Sequence, residues 1–522
     1  MKPMEYLKLF SSHTDYEEYL TGGTMVKPNV SYCEDVKDVH YNPWTWAEQY
    51  LTFVALEDGT ISFDIFQTMG TDMITSISYS TDDGETWTTT QNQNGKTSNL
   101  VITVNVNEGD KVLWKGEAIS LGSANNGSSF FSSTCTFDAK GNVMSLLYGD
   151  SFKGKTTIEA NGCFVGLFCP VLFGEKTCNV VNAKNLVLPA TTLTYGCYGG
   201  MFGGCTNLTS APQLPATTLA YSCYQQMFYG CTSLTTAPKL LATTLANYCY
   251  NSMFQSCTSL TSAPQLPATT LANGCYESMF YGCTSLTTAP QLPATTLAEH
   301  CYERMFYNCT NLTSAPQLPA TTLAEHCYNS MFQSCTSLTS APQLPATTLA
   351  DNCYAEMFYG CTSLTSAPQL PATTLTIGCY NSMFQDCTSL TTAPQLLATT
   401  LADNCYGGMF LGCTSLTTAP ELPATILADW CYQYMFSRCT SLTSAPELPA
   451  TTLADSCYYY MFQGCRSLNY IKAMFTTTPS NSYTNNWVNG VAASGTFVKN
   501  SAATWDVSGV NGIPEGWTIE TA

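Results

Sequence analysis

Charge is scarce in this chain. Asp, Glu, Lys and Arg make up 11% of its 522 residues, and the balance is acidic, giving a net charge of -19. A surface of that sign repels phosphate backbones, so nucleic acid is not an expected partner. No run of 18 apolar residues occurs, so no membrane insertion is expected. Lys2 and Lys8 stand near the start, but Glu5, Asp15, Glu17 and Glu18 interrupt any apolar core, so no Sec-type export signal is expected there. Histidine is limited to His13, His40, His300 and His326, too scattered to argue a Ser-His-Asp arrangement. No phosphate-cradling glycine loop occurs, and no carboxylate pair can be assigned. These absences point away from an enzyme. No catalytic residue, metal or cofactor is expected.

What the chain has in abundance is repetition. Cysteines recur every 26 residues at Cys197, Cys223, Cys249, Cys275, Cys301, Cys327, Cys353, Cys379, Cys405, Cys431 and Cys457, and a second cysteine follows each at eight residues, from Cys205 to Cys465. A period kept without one insertion means stacked rungs, because every unit must present the same faces to the next. Stacks of this kind are surfaces for binding. Two readings of the 22 ladder cysteines compete: a disulfide inside each rung, or buried thiols acting as small hydrophobes. The thiol reading is preferred for a chain expected to fold in a reducing compartment. The Cys-x7-Cys spacing does not suit structural zinc.

In the rung Thr217 to Pro238, Ala220, Cys223, Tyr224, Met227, Phe228 and Cys231 fall at i, i+3, i+4, i+7, i+8 and i+11. That spacing predicts a helix of about three turns. Gly230 stands where a left-handed residue would end it. Leu234 and Ala237 are expected to point inward from a short extended segment. Pro238 lacks an N–H and should interrupt the strand ladder. The following Pro-x-Leu-Pro stretch reads as an extended connector anchored by residues such as Leu214. A lone rung cannot offset the entropy of ordering its own chain, so capping units are required. Residues 161–168 look like an earlier rung carrying an eight-residue insertion, and Ser467 to Ile471 begin a strand-like tail.

The rungs resemble the BspA-like, or Treponema-type, leucine-rich repeat. The resemblance stands on Leu208-Thr209-Ser210, Leu214-Pro215, Leu219, Met227-Phe228, Gly230-Cys231 and Ser233-Leu234, and runs over about residues 160–475. Met-Phe replaces the family's Ala-Phe, and a proline interrupts the strand, so the strand ladder should be shorter than usual. The resemblance implies a curved stack used for adhesion to host cells, matrix or other microbes. Three further segments resemble proteins of gut Bacteroidales and their crAss-like phages: Lys27 to Pro43, Phe137 to Asp150, and Trp487 to Trp517.

The expected architecture is an α/β solenoid of 26-residue leucine-rich repeats, a short strand plus a helix per rung. An all-β sandwich precedes it and a β C-cap follows. The expected segments are 1–50, an N-terminal anchor or docking segment; 51–158, a β-sandwich; 159–470, the repeats; and 471–522, the cap. The sandwich rests on alternating stretches at Ile61 to Ile65, Ile77 to Ser80, Leu100 to Val104 and Lys111 to Trp114. Ser80 to Trp87 resembles the Asp-box of sialidases. A single copy reads as a hairpin device, and a glycan-cleaving activity is the weakest alternative.

Comparing rungs within the chain separates fixed positions from free ones. The Tyr, Met and Phe columns on the apolar stripe read as core. The free positions flank the first cysteine and its tyrosine and precede the second cysteine, and they are expected on the solvent side of the helix. Candidate ligand-binding residues there are Tyr221, Gln225, Tyr229, Tyr248, Glu299, His300, Glu303, Arg304, His326, Trp430, Gln433, Tyr434, Tyr459 and Tyr460. Rigid aromatics with adaptable polar groups suit recognition, and Tyr and Trp faces suit sugar rings. A freely drifting solvated face is the bland alternative. The stacked pair His300 and His326 also admits a surface metal, against ordinary variation.

The reading is a phage virion fibre that binds a host cell-surface glycan or protein through its repeats and other virion proteins through its N-terminal region. Its location would be the virion. The alternative is a BspA-like adhesin on a bacterial surface. A homo-oligomer stays open.

Overall fold

The computed structural model describes residues 46–65, 74–91, 100–123, 127–169 and 176–522. The anchor segment expected at 1–50, with the Lys27 to Pro43 motif, therefore lies almost wholly outside the described residues. The chain forms two compact units, residues 1–244 and 245–522.

In the first unit, one sheet has the strand order β11-β10-β1-β6-β3-β4 and a second has β5-β2-β9. The strands are β1 (Leu51–Ala55), β2 (Gly59–Ile65), β3 (Ile74–Ser80), β4 (Thr88–Gln91), β5 (Leu100–Val106), β6 (Lys111–Ala118), β9 (Phe130–Ser133), β10 (Phe137–Asn142) and β11 (Val180–Val187). β7 (Gly122–Ser123) and β8 (Gly127–Ser128) make a small ribbon. All pairings are antiparallel except β10 with β11. The two larger sheets meet through aromatic rings. Phe53 on β1 lies 4.7 Å from Phe131 on β9, and Trp114 on β6 lies 5.1 Å from the same ring. Alternation on β5 is strict, with Ile102, Val104 and Val106 buried and Val101, Thr103 and Asn105 exposed, as half-buried strands require.

This core does not stop at residue 158. Phe168, in the rung carrying the insertion, sits 5.7 Å from Phe131 and 4.9 Å from Phe202 in the next rung. β11 pairs with β10 on one side, and on the other Asn182 bridges Ser210. The sheets thus serve as the cap on the first rungs. The insertion is visible in the hydrogen bonds. Phe164 N–H donates to the Cys197 carbonyl, a step longer by the length of the insertion than the regular one from Tyr198 N–H to the Cys223 carbonyl.

No α-helix forms in the rungs, which corrects the helix-per-rung expectation. Apart from the helical residues Trp46 and Ala47, the α-helix among the described residues is one short turn, α1 (Ser145–Tyr148). Each rung instead runs as consecutive turns with a left-handed residue at every fourth position, such as Ser222 (φ 52°), Gln226 (φ 57°) and Gly230 (φ 68°). The backbone donors alternate. In the second unit, Cys275, Glu277, Met279, Tyr281 and Cys283 N–H groups donate three residues back, to Ala272, Gly274, Tyr276, Ser278 and Phe280. The intervening Gly274, Tyr276, Ser278, Phe280 and Gly282 N–H groups donate to Glu299, Cys301, Glu303, Met305 and Tyr307 of the next rung, at 2.7–3.1 Å. An α-helix would use all of these donors internally and leave the rungs joined by side chains alone.

The apolar spacing fits both geometries, because a strict four-residue period and a 3.6-residue period diverge by only about 40° per turn. The expected solvent side survives in changed form: two residues point in and two point out, in fours. Cys, Tyr, Met, Phe and Cys form stacked columns. In the second unit, neighbouring core tyrosines from Tyr250 to Tyr432 lie 5.7–5.9 Å apart and nearly parallel. Extended ladder contact shrinks to single bridges such as Ser262 with Thr288 and Thr296 with Thr322, because the prolines lack donors. In the connector, Leu234 and Pro238 are buried while Ala237 is only half-buried. That corrects the inward expectation for Ala237: the alternation places the proline ring inside.

All 26 described cysteines are buried, and none of them is in a disulfide. From Cys283 to Cys465 the second cysteine of each pair donates its thiol to a phenylalanine carbonyl of the preceding rung, as from Cys283 to Phe254 at 3.1 Å and from Cys335 to Phe306 at 3.0 Å. Burial pushes the thiols of Cys275, Cys327 and Cys465 up to about 12. A thiol reagent such as DTNB is therefore expected to leave these cysteines untouched in native protein and to titrate them in guanidinium. Fast labelling of many thiols in native protein would contradict the packing.

The repeat period continues past the last cysteine. β12 (Tyr470–Ala473), β13 (Thr496–Lys499) and β14 (Thr518–Thr521) form a parallel sheet in which Tyr470 pairs with Thr496. Tyr458, Tyr460, Phe462 and Gly464 N–H groups donate to Tyr483, Asn485, Trp487 and Asn489, as in an ordinary rung step. Trp487 takes the methionine position of this degenerate rung. It is fully buried against Tyr458, Phe462, Phe475 and Phe497, and its Nε1 donates to the Gly512 carbonyl at 2.9 Å.

Candidate functional site

The outward pairs of the four-residue turns make columns that run from rung to rung. One column holds the left-handed residues before each first cysteine. The next two hold the residues after the core tyrosine, the second of them again left-handed. A fourth holds the residue before the last left-handed position. Glycine, serine or asparagine suits a left-handed site at least cost. The chain uses them at Ser252, Ser278, Ser330, Gly408 and Asn404, but places Arg304 (φ 52°), Glu356 (φ 56°), Trp430 (φ 60°), Tyr434 (φ 55°) and Tyr460 (φ 55°) at equivalent positions. A bulky L residue there costs about 1–2 kcal/mol. Such residues add nothing to the core, so they mark the surface as the place to look for function.

In the first unit, Tyr221 and Tyr229 are 44% and 41% exposed, and Tyr221 stacks on Tyr195 at 5.2 Å. Gln225 is half-buried between them in sequence. In the second unit the remaining candidates fall into two groups, with Tyr248 apart, its ring covering Gly274 so closely that a Cβ there would lie 2.3 Å from it.

The first group surrounds a buried carboxylate. Glu303 is 7% exposed, which corrects its placement among solvent-facing residues. It holds His300 Nδ1 at 2.6 Å and Arg304 at 3.2 Å. Burial, and then the neighbouring Glu303, push the Glu277 carboxyl up. His300 and His326 stack at 5.0 Å, and His326 Nε2 lies 3.6 Å from Glu325. Among the described residues no group of three or more His, Cys, Asp or Glu is placed to hold a metal ion. Glu299 accepts a hydrogen bond from Asn273 at 2.9 Å. Elsewhere in its column, the Asp351, Asp403 and Asp429 carboxylates accept the N–H of the next rung at 3.0–3.2 Å, so this acidic column has a structural task.

The second group is aromatic. Tyr459 meets Trp430 edge-on at 5.8 Å and Tyr434 at 5.4 Å, and Tyr434 stacks on Tyr460 at 5.1 Å. Trp430 is 41% exposed. Gln433 reaches back to Asn404 Oδ1 at 2.8 Å.

The Asp-box segment is a closed hairpin turn. Asp82 accepts from Ser80 Oγ at 2.7 Å and from Thr86 N and Oγ1 at 2.9 and 2.5 Å, and these bonds, those from Thr86 first, hold its carboxyl down at about 2. Trp87 Nε1 donates to the Gly84 carbonyl at 3.1 Å. The acid is occupied by its own loop. The Phe137 to Asp150 segment is also structural. Gly141 lies so close to the Tyr50 carbonyl that a Cβ would sit 2.0 Å from it. Asp150 accepts from Tyr50 at 2.6 Å and Lys115 at 2.7 Å, and Lys115 lies 4.2 Å from the Trp87 ring.

Sequence reasoning placed Tyr281 and Tyr307 in a free column without choosing them as site residues, and missed Glu356. Tyr281 and Tyr307 stack at 4.5 Å in the fourth column. Their signal was adjacency: two tyrosines one period apart beside Arg304.

Stacked, in-register rungs with a varied exterior define a leucine-rich-repeat protein of the surface-binding type. The chain matches the BspA type leucine rich repeat region in six copies, over residues 173–313, 275–391 and 351–488. That is more than half of its length, and the chain belongs to this family. Repeats of this family typically serve as non-enzymatic binding or scaffold domains, which makes this a surface-binding, adhesin-like protein. No curated protein matches the chain.

Proposed function

We propose that the protein is a virion appendage of a phage of gut Bacteroidales, docking through its N-terminal region and presenting the turn columns to a host-surface glycan or protein. The observation that carries the binding part is the clustering of bulky side chains at left-handed positions where glycine or serine would suffice. The phage setting is supported by the resemblance of Lys27 to Pro43, Phe137 to Asp150 and Trp487 to Trp517 to proteins of those phages and their hosts. Immunogold labelling of virions and cells tests it. Label confined to the bacterial surface would replace the virion reading with a cellular adhesin.

The aromatic group supplies the test of the binding part. Trp430→Gly with Tyr434→Gly removes the rings while relieving left-handed strain. Its melting temperature is expected to match or exceed that of the parent, while attachment to host cells falls severalfold. Unchanged attachment would remove this patch from the reading.

A further inference from the structure

Within the second unit, a trough of about 440 Å³ runs across successive rungs. Its length is set by one column, Gln255, Tyr281, Tyr307 and Gln333, and its side by Arg304 and Glu356. The tyrosine rings stack at 4.5 Å with a 2° tilt, so they act as one rigid wall with an amide before and after it. The two hydroxyls interact with each other, and burial with that contact pushes the Tyr307 phenol up. Arg304 is held from behind by the buried Glu303 at 3.2 Å, and Glu356 accepts from Ser330 Oγ at 3.3 Å. Both charged side chains are therefore positioned before any ligand arrives, and both occupy left-handed sites that serine fills on neighbouring rungs.

We propose that this trough is a subsite for a linear, uncharged glycan, the tyrosine pair packing against a sugar ring while Arg304, Glu356, Gln255 and Gln333 hydrogen-bond its hydroxyls. The proposal rests on the surface-binding reading and names its ligand class. Three observations select that class. The lining presents hydrogen-bonding side chains on four successive rungs, from Gln255 to Gln333, with the held Arg304 and Glu356 beside them, as a chain of polyhydroxylated rings requires. Its one cation is already neutralised by Glu303. And from Leu245 to Cys465 the chain carries 12 Asp and Glu but only two Arg and no Lys, which disfavours acidic polysaccharides. The same polar, pre-positioned lining disfavours an apolar peptide side chain as occupant.

Affinity gel electrophoresis of the full chain tests it, with pullulan, laminarin, xylan and galactomannan as neutral probes and polygalacturonate and chondroitin sulfate as acidic ones. Two variants use residues the chain already tolerates in these columns: Tyr281→Gln with Tyr307→Gln, and Arg304→Ser with Glu356→Ser. At least one neutral probe is expected to retard the parent, and each variant to weaken that retardation about tenfold or more at an unchanged melting temperature. Retardation by acidic probes alone, by no probe, or undiminished in both variants overturns the subsite. Host-cell adhesion measured in parallel separates the two levels. Adhesion kept by both variants overturns this subsite and leaves the surface-binding reading standing, whereas a parent that does not adhere overturns both.

Discussion

Raising the pH from 8 to 11 is expected to unfold the repeats steeply, with the loss beginning near pH 9. The cause is the cysteine and tyrosine ladders. A thiol in the unfolded chain gives up its proton near 9, and a phenol near 10. In the folded rungs, burial holds Cys275, Cys327, Cys335 and Cys465 up to about 12, and holds Tyr276, Tyr302 and Tyr354 well above their ordinary value. The folded state therefore keeps protons that the unfolded state has released, and stability falls as pH rises. The contribution is complete below pH 9 and is lost between 9 and about 12. Each buried thiol costs about 1.4 kcal/mol per pH unit in that window. If ten titrate together, about 14 kcal/mol is lost per unit, which exceeds the stability of most domains. Circular dichroism followed with tyrosinate absorbance should show both signals changing together. A fold that persists at pH 11 would mean that the ladder thiols are oxidised or solvated.

Trp487→Ala is expected to destabilise the C-terminal end by about 3–5 kcal/mol, in the range for emptying a large buried aromatic site. Trp487 stands where each regular rung has methionine, and it seals the Tyr458 and Phe462 columns with one side chain. Its indole donor is also committed to Gly512. In a stack governed by nearest-neighbour terms the damage begins locally. Hydrogen exchange should show protection lost first over about residues 457–522, with rungs near residue 300 retaining theirs. Uniform loss of protection would mean that the rungs unfold as one unit. Trp430→Gly serves as the contrast, a tryptophan removed from the surface at no expected cost.

The same sequence regularity that announced the rungs concealed their backbone. Cys223, Tyr224, Met227, Phe228 and Cys231 identify the buried columns by themselves, since apolar identity at a fixed period leaves no other place for them. What they leave undecided is how the intervening backbone donors are spent. The glycines carried a hint, standing at Gly196, Gly200 and Gly204 in one rung, but elsewhere the first two of these positions are mostly filled by other residues, from Ser222 and Gln226 to Tyr248, His300 and Arg304, which do not announce a left-handed conformation.

The candidate site was legible to the same extent. Variation between rungs pointed to the outward positions, and Arg304, Trp430 and Tyr434 do lie there. Glu303 varies too, yet it is buried, because a variable position can face inward under a neighbour's side chain. Nor could the sequence join Tyr281 and Tyr307 to Glu356, which lies almost two periods beyond the second tyrosine.

Period, family, core columns and the acidic, cation-poor surface followed from the order of residues, because they depend only on which side chains recur and where. The choice of turns over helix, the fusion of the first rungs with the N-terminal sheets, and the gathering of residues from several rungs around one trough were decided in three dimensions. Those depend on hydrogen bonds between rungs and on the small advance from one rung to the next, which brings residues a full period or more apart into contact.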